Sequence, residues 1–192
     1  PEDGTLVHTL IEHTSAVNSI DIWVSEFSST AWLVSGDQSG RVILWDLETG
    51  EIIREFIEHT NVVNTVDFRS DGQRIVTASD DANAIVWDTQ TGRIVRKINT
   101  PTTSSINGTR YSPNDQNLLI WSDDAMRLIG VNSEQWLEFG YDDNGLVKDG
   151  QETNRIRSAV FSPNGEFIVT TGSAGESSPE IWNVARRALD KR

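Results

Sequence analysis

Within residues 57–88, IEHTNVVNTVDFRSDGQRIVTASDDANAIVWD, stand the side chains of a hydrolase. His59 is a candidate base, Thr77 or Ser79 a candidate nucleophile, and Asp81 a candidate orienting carboxylate. A hydroxyl activated by an imidazole that a carboxylate holds in place is what acyl transfer needs. That chemistry requires a hydroxyl free to attack, and the elements that carry it decide whether it is free. Those elements belong to a pattern of the whole chain, because the stretch recurs.

Trp45-Asp46 returns as Trp87-Asp88, 42 residues on, and His13-Thr14 returns as His59-Thr60, 46 residues on. The difference is the longer hairpin IWVSEFSSTAWLVSG of the first copy. A third copy aligns without gaps at an offset of 43, which sets Gly130 at the tryptophan position and Val131 at the aspartate position. The fourth, TNRIRSAVFSPNGEFIVTTGSAGESSPEIWN, carries Trp182 and then Asn183. Self-similarity at about 40–45 residues marks a repeat architecture and takes precedence over any motif.

Each copy reads as all-β. VVNTVDF and IRSAVF are strands closed by the turns Ser70-Asp71-Gly72 and Ser162-Pro163-Asn164-Gly165. RIVTAS and FIVTTG follow. VILW and AIVW are continuously apolar, as strands covered on both faces are, and TGEIIREF and TGRIVRKI alternate as half-exposed outer strands do. Four strands per copy make an antiparallel meander, and sheets apolar on both faces must stack on one another.

The chain resembles the WD-repeat β-propeller family over nearly its whole length. The resemblance rests on His13 with Trp45-Asp46, His59 with Trp87-Asp88, and the FSPNG turn at 161–165. It implies an all-β propeller of four-stranded antiparallel blades, about four of them present, as part of a larger ring. The implied division is 1–12, the outer strand of a preceding or ring-closing blade; 13–57, repeat 1; 58–99, repeat 2; 100–140, a degenerate repeat 3; 141–153, an insertion; and 154–192, repeat 4 with a tail.

The resemblance also gives the apparent triad another role. In a well-formed blade a turn carboxylate meets the histidine, the histidine a Ser or Thr hydroxyl, and the hydroxyl the indole N–H of the tryptophan. Here those positions are Asp81, His59, Thr77 and Trp87. The hydroxyl is then engaged and not nucleophilic, and buried donors that would otherwise cost roughly 1–3 kcal/mol each find partners. The first copy keeps His13, Ser35 and Trp45 but has Ser39 at the turn position; the third has Asp124, with Thr102 for the histidine; the fourth has no histidine. A complete quartet is therefore expected only in repeat 2, with the third and fourth repeats looser.

Composition narrows the function classes. The 192 residues are 36% apolar and 23% charged, enough for one good core or two small ones. Mean hydropathy is −0.39. No apolar run approaches the roughly 18 residues of a membrane span, and PEDGTLVHTL lacks the basic start and apolar core of a secretory signal. A start at Pro1 reads as a processed or excised segment. With no cysteine, disulfides, zinc-thiolate sites and cysteine nucleophiles are ruled out, which is compatible with a cytoplasmic protein. A net charge of −13 repels phosphate backbones and suits basic protein or peptide partners.

Other candidates read as structure. His8 lies on an outer-strand pattern. Residues 172–180, GSAGESSPE, lack the ending of a phosphate loop and read as a long hairpin turn. Residues 140–154, GYDDNGLVKDGQETN, fail the EF-hand spacing, while Asp143-Asn144-Gly145 suits a hairpin turn in a loop able to contact a partner. ARRALDKR at 185–192 reads as a frayed end or a contact to a neighbouring domain. Trp23, Trp32, Trp121 and Trp136 fall outside the repeat pattern, and an exposed one would be a binding anchor.

The resulting expectation is a non-catalytic interaction scaffold, without metal or cofactor, that binds a protein or peptide on its loop face. By position the contacts are Ser15, Ala16, Gln38, Asn61, Val62, Asp80, Asp123 and Arg155. One alternative is a hydrolase that uses carboxylates on the same scaffold; another is the sensor region of a larger multidomain signalling protein.

Overall fold

A computed structural model describes residues 4–99, 105–123, 125–134, 136–139, 156–172 and 179–185. These form four antiparallel meanders. Blade 1 is β1 (Val17–Val24), β2 (Ala31–Asp37), β3 (Arg41–Asp46) and β4 (Ile52–Ile57). Blade 2 is β5 (Val63–Phe68), β6 (Arg74–Ser79), β7 (Asn83–Asp88) and β8 (Ile94–Asn99). Blade 3 is β9 (Ile106–Tyr111), β10 (Asn117–Ser122), β11 (Met126–Gly130) and β12 (Trp136–Phe139). Blade 4 shows three strands among the described residues, β13 (Ile156–Phe161), β14 (Phe167–Gly172) and β15 (Glu180–Asn183).

Patterning explains the order within a blade. The third strands β3 and β7 are buried along Val42–Trp45 and Ala84–Trp87, whereas the outer strands β4 and β8 alternate. Each Trp-Asp aspartate closes the turn that follows it. Asp46 Oδ1 accepts the N–H groups of Glu48 and Thr49 (both 2.9 Å), and Asp88 Oδ1 accepts the N–H and hydroxyl of Thr91 (2.8 and 2.7 Å). The core lies between blades. Val34, Val42, Leu44 and Phe56 of blade 1 meet Val66, Phe68, Ile75 and Trp87 of blade 2, and similar apolar sets fill the next two junctions.

The antiparallel path separates the turns onto two faces. The histidine turns and the turns after β2 and β6 lie on one, the upper face; the turns after β5 and β7 lie on the other, the lower face.

Residues 4–12, expected as an outer strand, join no ladder; they lie over blade 1 as β4 lies over blade 2. Leu10 packs against Leu33, Ile43 and Trp45, just as Phe56 packs on Trp87 at 5.3 Å. His8 Nε2–H donates to Glu48 O (3.0 Å), matching Arg54 Nη2 on Gln90 O (2.7 Å). His8 thus ties this segment to the next turn.

The gapless alignment of the third copy needs correction. Five residues separate the paired Ala78 and Ala84, but four separate Trp121 and Met126. The shorter turn shifts β11 by one residue. Ile129, paired with Leu118, takes the place that Trp87 holds opposite Ile75 and Trp45 opposite Leu33. Gly130 pairs with Asn117 one rung below, where Asp88 pairs with Arg74.

Candidate functional site

In blade 2 the four polar side chains form one chain. His59 Nδ1 lies 2.8 Å from Asp81 Oδ2, His59 Nε2 lies 2.7 Å from Thr77 Oγ1, and Trp87 Nε1–H donates to Thr77 Oγ1 at 2.9 Å. One proton assignment satisfies every member. The indole donates to the hydroxyl, the hydroxyl to Nε2 of a neutral imidazole, and Nδ1–H to the carboxylate. Burial pushes the His59 pKa down despite Asp81, which favours that neutral form. The Asp81 carboxyl is held below its ordinary value because its bonds from His59, Thr60 N–H and Asn83 outweigh the opposing desolvation. Thr77 is 0% exposed and engaged on both sides. Ser79 donates to Asn61 O and accepts Asp81 N–H, both at 3.1 Å. Neither hydroxyl is available as a nucleophile, and the group braces the histidine turn against the sheet.

Blade 1 corrects an expectation. Its quartet is complete, with Asp37 and not Ser39 as the carboxylate: His13 Nδ1–Asp37 Oδ2 2.7 Å, His13 Nε2–Ser35 Oγ 2.6 Å, Trp45 Nε1–Ser35 Oγ 2.8 Å. Asp37 ends β2, two residues earlier, and its side chain still reaches the imidazole. Its other oxygen accepts from Ser39 N–H, Ser39 hydroxyl and Arg41 N–H, so the aligned Ser39 serves the carboxylate it was expected to replace. Blade 4 keeps half of the chain, Trp182 Nε1–H on Thr170 Oγ1 at 3.0 Å. In blade 3 apolar packing replaces it. Ile120 stands at the hydroxyl position, and Trp121, 3% exposed, closes over Gly108, where a Cβ would lie 2.1 Å from the indole. Thr102 and Asp124 lie outside the described residues.

The expected contact positions gather on the upper face. Ala16, Gln38 and Asn61 are exposed; Ser15, Val62, Asp80 and Asp123 are half-buried. Arg155, the 140–154 insertion including Asp143-Asn144-Gly145, and most of the 172–180 turn and the 185–192 tail lie outside the described residues. None of the seven tryptophans is largely exposed: Trp45, Trp87 and Trp121 are buried, and Trp23, Trp32, Trp136 and Trp182 half-buried.

Two sets of residues at the inner strands were missed from the sequence. Asn64 donates to Asp80 Oδ1 (2.7 Å) and to Ile106 O of the next blade (2.9 Å). Asn107 repeats this with Asp123 (2.7 Å) and Ile156 O (2.9 Å), and Asn18 reaches Val63 O (3.4 Å). Asp80 and Asp123 are thus oriented from below by amides that also link blades. Three residues along, Asp21 accepts Phe68 N–H (2.7 Å) and Asp67 accepts Tyr111 N–H (2.8 Å), again across blades. Burial pushes the Asp67 carboxyl up to about 7, with the neighbouring Asp21 adding to the rise. The signal was present as VNSID, VNTVD and INGTR, in which Asn recurs at the second position and Asp in two of three copies.

Comparison with known proteins agrees with this architecture. The family model "WD domain, G-beta repeat" matches residues 4–46, 50–88 and 146–182, more than half of the chain and three of its four repeats. Among solved structures, the chain is similar to the β-propeller domain of Cps50 (Swd1) from Myceliophteria thermophila, with a TM-score of 0.73 at 18% identity. That match covers 91% of this chain and 54% of the other, so the chain spans about half of the propeller domain it matches. No curated protein matches. The recurring Trp-Asp strands, the braced histidine turns and these matched ranges together place the chain in the WD40-repeat family.

Proposed function

We propose that the chain is a section of a larger propeller ring that works as a non-catalytic scaffold and holds a protein or peptide on its upper face. Propellers of this family generally mediate protein–protein interaction. One observation carries the finer reading: Asp80 and Asp123 stand at matching turns of adjacent blades, each oriented by an inner-strand asparagine at 2.7 Å. Two carboxylates held at matching turns of adjacent blades, on a chain of net charge −13, suit a basic segment. The partner is then a lysine- or arginine-bearing protein or peptide, and the setting a cytoplasmic multiprotein complex or the sensor region of a larger signalling protein.

The test is binding of a lysine-rich peptide to the wild type and to Asp80→Asn/Asp123→Asn, which removes charge but keeps an acceptor for each asparagine. Affinity is expected to fall about tenfold at low salt, and wild-type binding to weaken as salt rises. Equal affinity of the two proteins, or binding indifferent to salt, overturns the reading.

One feature favours a second reading, a carboxylate hydrolase: burial, with Asp21 nearby, pushes the Asp67 carboxyl up to about 7. Against it, both acids already accept a backbone N–H of the next blade, a role that explains their presence without chemistry.

A further inference from the structure

On the lower face, opposite the histidine turns, the junction of blades 1 and 2 opens into a cavity of about 350 Å³. Its blade 1 side is Trp23, Trp32, Leu44 and Ile53; its blade 2 side is the pair of turns carrying Asp71 and Thr89. The paired indoles set this blade apart from blades 2 and 3, while blade 4 carries the single aromatic Phe167, paired with Asn183, on the rung of Trp32. Trp32 pairs with Asp46 on the rung where blade 2 pairs Arg74 with Asp88 and blade 3 pairs Asn117 with Gly130. Trp23 follows β1's Ile22 as Arg69 follows Phe68 and Ser112 follows Tyr111.

The wall is also preorganised. The two indoles stack at 4.9 Å and 38°, and Trp23 Nε1–H is spent on Ser70 O at 2.8 Å. Trp23 lies against Gly72, whose φ of +68° belongs to glycine and whose Cβ, if present, would sit 2.5 Å from the ring. Polar capacity, by contrast, is left over. Thr89 is 2% exposed and lines the cavity, yet its hydroxyl has no partner. At the next junction Arg96 bonds Gly130 O and Val131 O (both 3.1 Å) and Ser133 O (2.6 Å). Here Arg54 reaches Gln90 O alone, and its Nε is buried without a partner. Among the lining residues Asp71 and Asp88 stand against Arg74 alone.

We propose that this cavity is a second docking site, which takes a bulky apolar side chain of a partner protein within a segment where a lysine or arginine adjoins that side chain. A rigid aromatic pocket with few polar groups is what anchors a single large side chain. Thr89 lines the cavity with its hydroxyl covered and unpartnered, and rotation of the side chain would bring that hydroxyl to the backbone of the entering segment. The surplus of carboxylate at the rim, on a chain of net charge −13, selects a basic neighbour.

The probe is the peptide acetyl-Gly-Phe-Arg-Gly-amide, titrated against the isotope-labelled chain while the indole N–H signals of Trp23 and Trp32 are followed. Both signals are expected to shift saturably. Replacing Phe by Gly in the peptide lowers affinity at least about tenfold, and replacing Arg by Glu about threefold or more. Trp32→Arg abolishes the response while preserving the fold, since blade 2 carries arginine on the same rung; Thr89→Val keeps the wall and weakens binding. Asp80→Asn/Asp123→Asn leaves it unchanged, which separates this site from the upper face. Still indole signals at millimolar peptide, equal binding of the Gly peptide, or full binding by Trp32→Arg overturns the proposal.

Discussion

Replacing Thr77 by valine tests the brace directly. Valine keeps the shape of threonine but removes the oxygen that accepts from Trp87 Nε1 (2.9 Å) and meets His59 Nε2 (2.7 Å). Both partners are then stranded, with Trp87 2% and His59 7% exposed. Each unsatisfied buried group costs roughly 1–3 kcal/mol, while the methyl that replaces the hydroxyl returns less than about 1 kcal/mol. The expected net loss is about 2–4 kcal/mol, read from urea unfolding followed by tryptophan fluorescence. Thr77→Ser restores the oxygen and is expected to lose less than about 1 kcal/mol. In a double-mutant cycle with Trp87→Phe, removing the indole donor reduces the cost of Thr77→Val by about 1 kcal/mol. A Thr77→Val chain within about 0.5 kcal/mol of wild type, or a serine variant as unstable as the valine variant, refutes the brace and returns the hydroxyl to the pool of candidate nucleophiles.

Two further outcomes follow from the same geometry. Asp37→Ala strands His13 and the turn N–H groups and is expected to cost about 2–3 kcal/mol, against less than about 1 for Ser39→Ala; the reverse order would restore Ser39 to the turn role. Asp67, with a folded pKa of about 7 above its unfolded value, binds its proton more tightly in the fold. Its contribution is therefore fully present below about pH 4 and is lost as pH rises through 7, by up to about 4 kcal/mol. His59 has the opposite sign, since its lowered pKa withdraws stability as pH falls below its ordinary value. Both proteins carry His59, so the difference between wild type and Asp67→Asn isolates the Asp67 contribution. That difference is expected to favour the variant at pH 8 and to close toward pH 4. Loss of a hydrolytic activity in the same variant would instead support the carboxylate-enzyme reading.

Most of the architecture was legible because it rests on large residues at a fixed period. Trp45, Trp87 and Trp182 each occupy one rung of a third strand, and their neighbours alternate or run apolar accordingly. What sequence register could not supply was reach. The imidazole of His13 needs an oxygen near Nδ1, and a carboxylate at the end of β2 meets that need as well as one in the turn. Position-by-position matching therefore selected Ser39 and passed over Asp37. The same limit hid the one-residue shortening after β10, because the motif SDDA recurs and only the ladder reveals that Ile129 has moved into the tryptophan place. The asparagines at 18, 64 and 107 went unread for a different reason: the carbonyls they bond lie in the next blade, and periodicity within one repeat does not point there.

The junctions also explain why binding sites fall where they do. A stack of near-identical sheets must satisfy the same backbone groups at each interface, and here Asn, Asp and Arg side chains do so repeatedly. Such a repeated set leaves little freedom for function, because removing any member exposes its partners. Freedom appears at the turns, which the braces hold still without using their outward side chains, and at the junction where two tryptophans stand in place of arginines. In blade 2 those positions hold arginines that meet carboxylates, Arg69 on Asp71 and Arg74 on Asp88; here two packed indoles stand in their place, and the space beside Thr89 is the cavity. The lower-face site is thus a local departure from the junction chemistry of the next blade, which is why Trp32→Arg, by restoring that chemistry, is expected to close the site and leave the fold intact.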